Sequence, residues 1–210
     1  MGCPLSGPSP SPQPGLTRDQ TRDQTQDQTQ DQTQQVVLTE ENRQRIKDSW
    51  RLIQEDIMKV GIIMFVKLFE THPECKDVFF LFRDVEDPET LKRSRELRAH
   101  GLRIMSFIEK TVARLDHMER LDRLILDLGR SHYRYNAPPR FYGYVGAEFI
   151  RAVRPILKER WSAEVEEAWQ TLFLYITSIM KRGFLEEERN QKNIMAAGSR
   201  DRPDKKLNVI

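Results

Sequence analysis

Residues 97–108 read LRAHGLRIMSFI and residues 121–132 read LDRLILDLGRSH. In the first stretch Leu97, His100, Ile104, Phe107 and Ile108 recur at helical spacing. In the second Leu121, Leu124, Leu128 and His132 do the same. That spacing places each set on one face of an α-helix. Each apolar stripe therefore carries one imidazole, and the two imidazoles belong to different helices, 32 positions apart.

Working outward, every other periodic segment is also helical. Thr39 before Glu40 and Glu41 reads as an N-cap with an acidic first turn. Ile46, Trp50, Ile53 and Ile57 then mark one buried face, up to a kink at Glu55-Asp56. The segment from Ile57 to Phe69 is apolar nearly all round and so belongs at the centre. His72-Pro73 ends it, because proline cannot continue a helix and restricts the residue before it. Asp87-Pro88 opens a long helix that carries His100. The loop after His132 holds Asn136 and Pro138-Pro139. Phe141, Val145, Phe149 and Val153 follow as another helix. Ser162 caps the last one, with Trp169, Leu172, Phe173, Ile176 and Met180 inward. No alternating strand pattern occurs, so the fold class is all-α. Residues 36–184 form the domain. Residues 185–210 are polar and are expected to fray.

Residues 1–35 differ in kind. Met1 to Gly15 is rich in Pro, Ser and Gly, and Thr17 to Gln34 repeats TRDQ or TQDQ without an apolar residue. Such a segment cannot offset the entropy of ordering and reads as a disordered spacer. The start Met1-Gly2-Cys3-Pro4-Leu5-Ser6 fits the myristoylation pattern at Gly2. One myristoyl chain binds a membrane only marginally, so a second signal is required. Arg18 and Arg22 face four aspartates in this tail, which excludes a polybasic patch. Cys3, as a palmitoylation site, is the candidate second anchor. The expected location is the cytoplasmic face of the plasma membrane.

Composition excludes several classes. The 34 basic and 32 acidic residues leave a net charge of +2, far from the basic excess that nucleic-acid binding uses. Two cysteines, Cys3 and Cys75, make no disulfide framework, and a reducing compartment is expected. No apolar run reaches the roughly 20 residues of a spanning helix.

A single histidine on an apolar stripe is more often a satisfied core residue than a ligand. The pair His100 and His132 is surrounded by aromatic and aliphatic groups, not by the carboxylates and thiolates that zinc sites favour. Two imidazoles over one apolar slot suit an iron porphyrin. The segment from Leu38 to Phe184, roughly 70% of the chain, resembles a globin. The matching residues are Trp50, Phe65 and Leu68, His72-Pro73, Phe79 and Phe82, His100-Gly101 with Ile104, and Leu128 with His132. The intervals of 7 from His72 to Phe79 and 21 from Phe79 to His100 suit that family.

The resemblance implies about eight helices around haem b (iron protoporphyrin IX). His132 is then the proximal iron ligand, with its Nδ1–H on the carbonyl of Leu128 and Ser131 as a helper. His100 is the distal residue, Phe65 and Ile104 wall the distal pocket, Phe79 clamps the ring beside Phe82, and Arg103 pairs a propionate. His72 reads as a helix-end or surface residue and His117 as an exposed turn. A globin behind a doubly acylated start resembles the membrane-attached, six-coordinate animal globins of the globin X group. The 32-residue histidine interval also resembles neuroglobin. With Cys75 alone in the domain, an intradomain disulfide is impossible in the monomer. The implied ligands are oxygen, carbon monoxide and nitric oxide, with nitrite and an unidentified redox partner beside them. The implied role is redox, electron-transfer, nitrite or nitric oxide chemistry, or signalling. Two rival readings remain: an oxygen carrier with a five-coordinate ferrous haem, and a haem-free interaction module.

Overall fold

Thr39 opens the first helix as its position implies: its hydroxyl accepts from the backbone N–H of Asn42 at 3.2 Å. In the computed structural model, which describes residues 36–79 and 82–200, this helix is α1, Glu40–Ile53. A 3-10 turn at Gln54–Asp56 makes the kink, and α2 runs Ile57–Thr71. His72 and Pro73 end α2, and a 3-10 segment Pro73–Val78 follows. Then come α3 Pro88–Arg93, α4 Arg95–Val112, α5 Met118–Arg134, α6 Tyr142–Leu157 and α7 Ala163–Arg200. The described residues hold seven α-helices and no strand. None of these helices is long and apolar enough to cross a membrane. Gly2, Cys3 and the Thr17–Gln34 repeat lie outside the described residues.

The expected central helix is central. Val60, Met64, Phe65 and Leu68 of α2 are fully buried, and α2 packs on both α4 and α6. Trp169 of α7 is fully buried against Trp50 and Phe149. Its indole N–H donates to the buried Ser49 hydroxyl at 2.9 Å. That bond satisfies a polar atom which burial would otherwise leave costly.

Two elements differ from the sequence reading. The helix opened by Asp87-Pro88 does not run on to His100. It stops at Arg93, and Ser94 takes an extended backbone and caps a new helix, its hydroxyl accepting from the N–H of Leu97 at 3.2 Å. Serine competes with helix continuation in this way wherever its oxygen can satisfy a free N–H. The last helix, in turn, does not fray at Leu185 but continues to Arg200. Glu, Arg, Gln, Lys and Ala in this stretch are good helix formers. Its first turns are also tied down: Glu186 meets Arg130 at 3.1 Å, Glu187 meets Arg134 at 3.1 Å and Glu188 meets Lys192 at 3.0 Å.

Candidate functional site

The fully buried line of α4 is Leu97, Gly101, Met105, Ile108 and Val112. His100, Ile104 and Phe107 lie on the adjoining line and are only half-buried. α4 comes close to α2 through a pair of glycines. A Cβ on Gly61 would stand 3.0 Å from the backbone of Gly101. That crossing brings the residue before Gly101, His100, onto the aromatic side chains of α2 and the segment after it. Phe65 meets the His100 ring edge-on at 4.9 Å, and Phe79 does so at 5.1 Å. Phe69 and Phe82 back Phe79 at 5.3 and 6.0 Å.

On α5 the pattern repeats. Leu121, Ile125 and Gly129 are the buried line, whereas Leu124, Leu128 and His132 adjoin it half-buried. The buried line seats α5 on α7. A Cβ on Gly129 would stand 2.2 Å from the carbonyl oxygen of Met180, and one on Gly183 would stand 2.4 Å from that of Leu126. Such contact of backbone with backbone admits no larger residue. His132 Nδ1 lies 2.9 Å from the carbonyl oxygen of Leu128. A carbonyl can only accept, so Nδ1 carries the hydrogen and Nε2 keeps its lone pair. Ser131 plays no part in this, because its hydroxyl donates to the carbonyl of Asp127 at 2.9 Å.

Helix α4 rests on α2, α5 rests on α7, and the two histidine-bearing helices make almost no direct contact with each other. Their half-buried apolar lines are what a gap between them would expose. Burial holds the His100 imidazole down to about 4, with the Arg103 guanidinium and the His132 ring adding to the effect. His132 is also pushed below the ordinary range by burial, against the opposing pull of its bond to Leu128. Both rings are thus neutral at pH 7 and able to act as metal ligands. Among the described residues no group of three or more His, Cys, Asp and Glu side chains gathers as a metal cage would. Two neutral imidazoles beside aromatic and aliphatic side chains fit a haem and not a compact carboxylate site.

The remaining sequence-predicted residues fall as follows. Phe65 is fully buried and supports the His100 ring. Phe79, Phe82, His100 and Arg103, with Arg95, Glu96 and Ala99, line an open cleft of about 350 Å³. The exposed Arg103 approaches His100 Nδ1 through its Nη2 at 3.3 Å. His72 is removed from this site and stacks flat on Tyr144 at 3.7 Å. His117 is exposed at the start of α5. Cys75 is buried as a free thiol, and that burial pushes it up to about 11.

Tyr142 was not singled out by the sequence. Its ring meets His132 edge-on at 5.3 Å, and its hydroxyl donates to the carbonyl of Ala137 at 3.0 Å. Burial raises the phenol well above its ordinary range.

The family model described as Globin matches residues 63–180. Cytoglobin-2 of Danio rerio is 28% identical over 136 residues, covering 64% of this chain and 76% of that protein. Neuroglobin of the same fish is 26% identical over 156 residues, covering 74% and 98%. Among solved structures, a crystal structure of a hexacoordinated haem protein from an anhydrobiotic tardigrade at pH 4 superposes with a TM-score of 0.66. It shares 20% sequence identity and covers 71% of this chain and 96% of that one, which is a likeness of fold.

Proposed function

The chain belongs to the globin family, and on that premise we propose that it is a haem globin in which His132 would hold the iron and His100 would compete with gas ligands for it. One observation carries this reading. The half-buried lines of α4 and α5 each offer one neutral imidazole, on helices that do not pack on each other. Haem, when bound, supplies an iron that takes axial nitrogens and exchangeable gases such as oxygen.

The chain's own residues do the rest. The Leu128 carbonyl orients His132 and raises its basicity by accepting from Nδ1–H. Leu128 and Ile104 supply apolar walls, and Phe65 and Phe79 hold the plane of His100. A propionate is the alternative partner of Arg103, whose guanidinium in the cleft otherwise meets His100. The tardigrade protein is a hexacoordinated haem protein, which supports ligation by both histidines here. Where His100 must first leave, apparent gas affinity falls by the fraction of open protein. A store of oxygen gains nothing from that loss. A redox role suits it better, in electron transfer, signalling, or reaction with nitrite or nitric oxide. The Gly2 and Cys3 acyl sites and the Thr17–Gln34 spacer support a tether to the inner face of the plasma membrane.

The optical spectrum of the purified ferrous protein tests the core of this reading. A low-spin six-coordinate spectrum is expected. A high-spin five-coordinate spectrum would overturn the role of His100, and the absence of a Soret band would overturn the haem reading. The tether is tested by fractionating acylation-competent cells. Gly2→Ala should move the protein to the soluble fraction, and its persistence in the membrane pellet would rule out the N-terminal lipids as the anchor.

A further inference from the structure

We propose that Arg103 is a positioning residue that decides which nitrogen of His100 is offered to the haem pocket, and so whether His100 acts as a hydrogen-bond donor or as an iron ligand. The consequence for iron rests on the haem reading above; the pairing itself does not.

A guanidinium has five N–H donors and no acceptor. Its Nη2 lies 3.3 Å from His100 Nδ1. That contact is a hydrogen bond only when Nδ1 is the acceptor, and a neutral imidazole has a single N–H. The hydrogen of His100 then sits on Nε2. His132 has the opposite arrangement, because its Nδ1 faces the Leu128 carbonyl at 2.9 Å. The two imidazoles therefore present unlike atoms: His132 a lone pair, His100 an N–H.

An Nε2–H donates well to a bound gas or an oxyanion, but it cannot ligate iron. Ligation by His100 requires that its hydrogen move to Nδ1, and that requires Arg103 to let go. Arg103 is exposed, and it lines an open cleft beside Arg95 and Glu96. It can be withdrawn by any anion that captures its guanidinium. The His100 ring need not shift for this, since Phe65 and Phe79 hold it from two edges independently of Arg103.

The test compares the full-length chain with Arg103→Met, which removes the donor, and Arg103→Lys, which keeps one. Nitrogen-15 shifts of the His100 ring report its tautomer, read first without haem and then in the ferrous carbon monoxide complex. The wild type should carry the hydrogen on Nε2. Arg103→Met should move the tautomer ratio toward Nδ1–H by about three- to tenfold, the weight of one hydrogen bond at a wet site. Arg103→Lys should retain part of the wild-type preference. In the haem-loaded protein Arg103→Met should slow carbon monoxide association by a similar factor, since more His100 is in its ligating form. A wild-type hydrogen on Nδ1, or a ratio unchanged in Arg103→Met, overturns the proposal. Failure to bind haem would overturn the functional reading alone, because the tautomer is read in the same chain before haem is added.

Discussion

The two histidines look alike in the sequence, each on an apolar stripe, but the structure holds them by different means. His132 is fixed by a backbone carbonyl one turn earlier on its own helix. That helix is locked to α7 by Gly129 against Met180 and Gly183 against Leu126. Ion pairs from Arg130 and Arg134 to Glu186 and Glu187 continue the lock past the core. His100 is held by the edges of Phe65 and Phe79 and by an exposed guanidinium. Edge-to-face contacts are each worth about 0.5–1.5 kcal/mol and leave a ring free to tilt. On the proposed reading, the ligand that must stay is the one tied to backbone, and the one that must yield is cushioned by side chains.

The largest effect should come from removing the tied ring. His132→Ala is expected to leave no haem bound after gel filtration, whereas His100→Ala should retain it. Equal retention in the two variants would break the contrast at its root. Next, His100→Leu should speed carbon monoxide association about tenfold or more, the factor expected where the open form is about a tenth or less of the population. Stopped-flow rates equal to wild type would mean that His100 does not compete.

The helix seats can be compared directly. Gly129→Ala drives a Cβ into the carbonyl of Met180, so a loss of about 3 kcal/mol in denaturant unfolding is expected. Gly101→Ala meets the backbone of Gly61 at 3.1 Å, a milder conflict, and about 1 kcal/mol is expected. A reversed order would show α4 to be the rigid side.

A further effect is expected on pH dependence. In the folded haem-free chain burial holds His100 down to about 4, below the ordinary imidazole value of 6.5. The native state then binds fewer protons than the unfolded state across this window, so stability rises with pH there. The contribution is complete above about 6.5 and is lost progressively as pH falls toward 4. His100→Leu should flatten that part of the stability profile, as followed by urea midpoints. An unchanged slope would place the acid sensitivity elsewhere.

The all-helical class, the central place of α2 and the caps at Thr39, Asp87 and Ser162 were all legible locally, because caps and periodicity are properties of neighbouring residues. The break at Ser94 was hidden. A serine reads equally well inside a polar stretch or as a cap, and only the turn of the chain onto α2 favours the second. The run of α7 past Leu185 was hidden too, because its anchors on α5 lie 53 and 56 positions away. Tyr142 was missed for a similar reason, since nothing in its own segment shows the imidazole it abuts.

By itself the sequence determined that two imidazoles would ride on two apolar helical stripes with aromatics ahead of them, because side-chain direction along a helix follows from spacing. It could not determine that His100, Ile104 and Phe107, and likewise Leu124, Leu128 and His132, lie beside the buried lines of Leu97 and Ile108 and of Leu121 and not on them. That depends on which glycines let α4 settle on α2 and α5 on α7. Nor could it determine the hydrogen on His100. The bond from Nδ1 of His132 to the Leu128 carbonyl and the approach of Arg103 to His100 each span one turn of a single helix, but the ring planes are set by Phe65, Phe79 and Tyr142, which meet the imidazoles only when the elements pack.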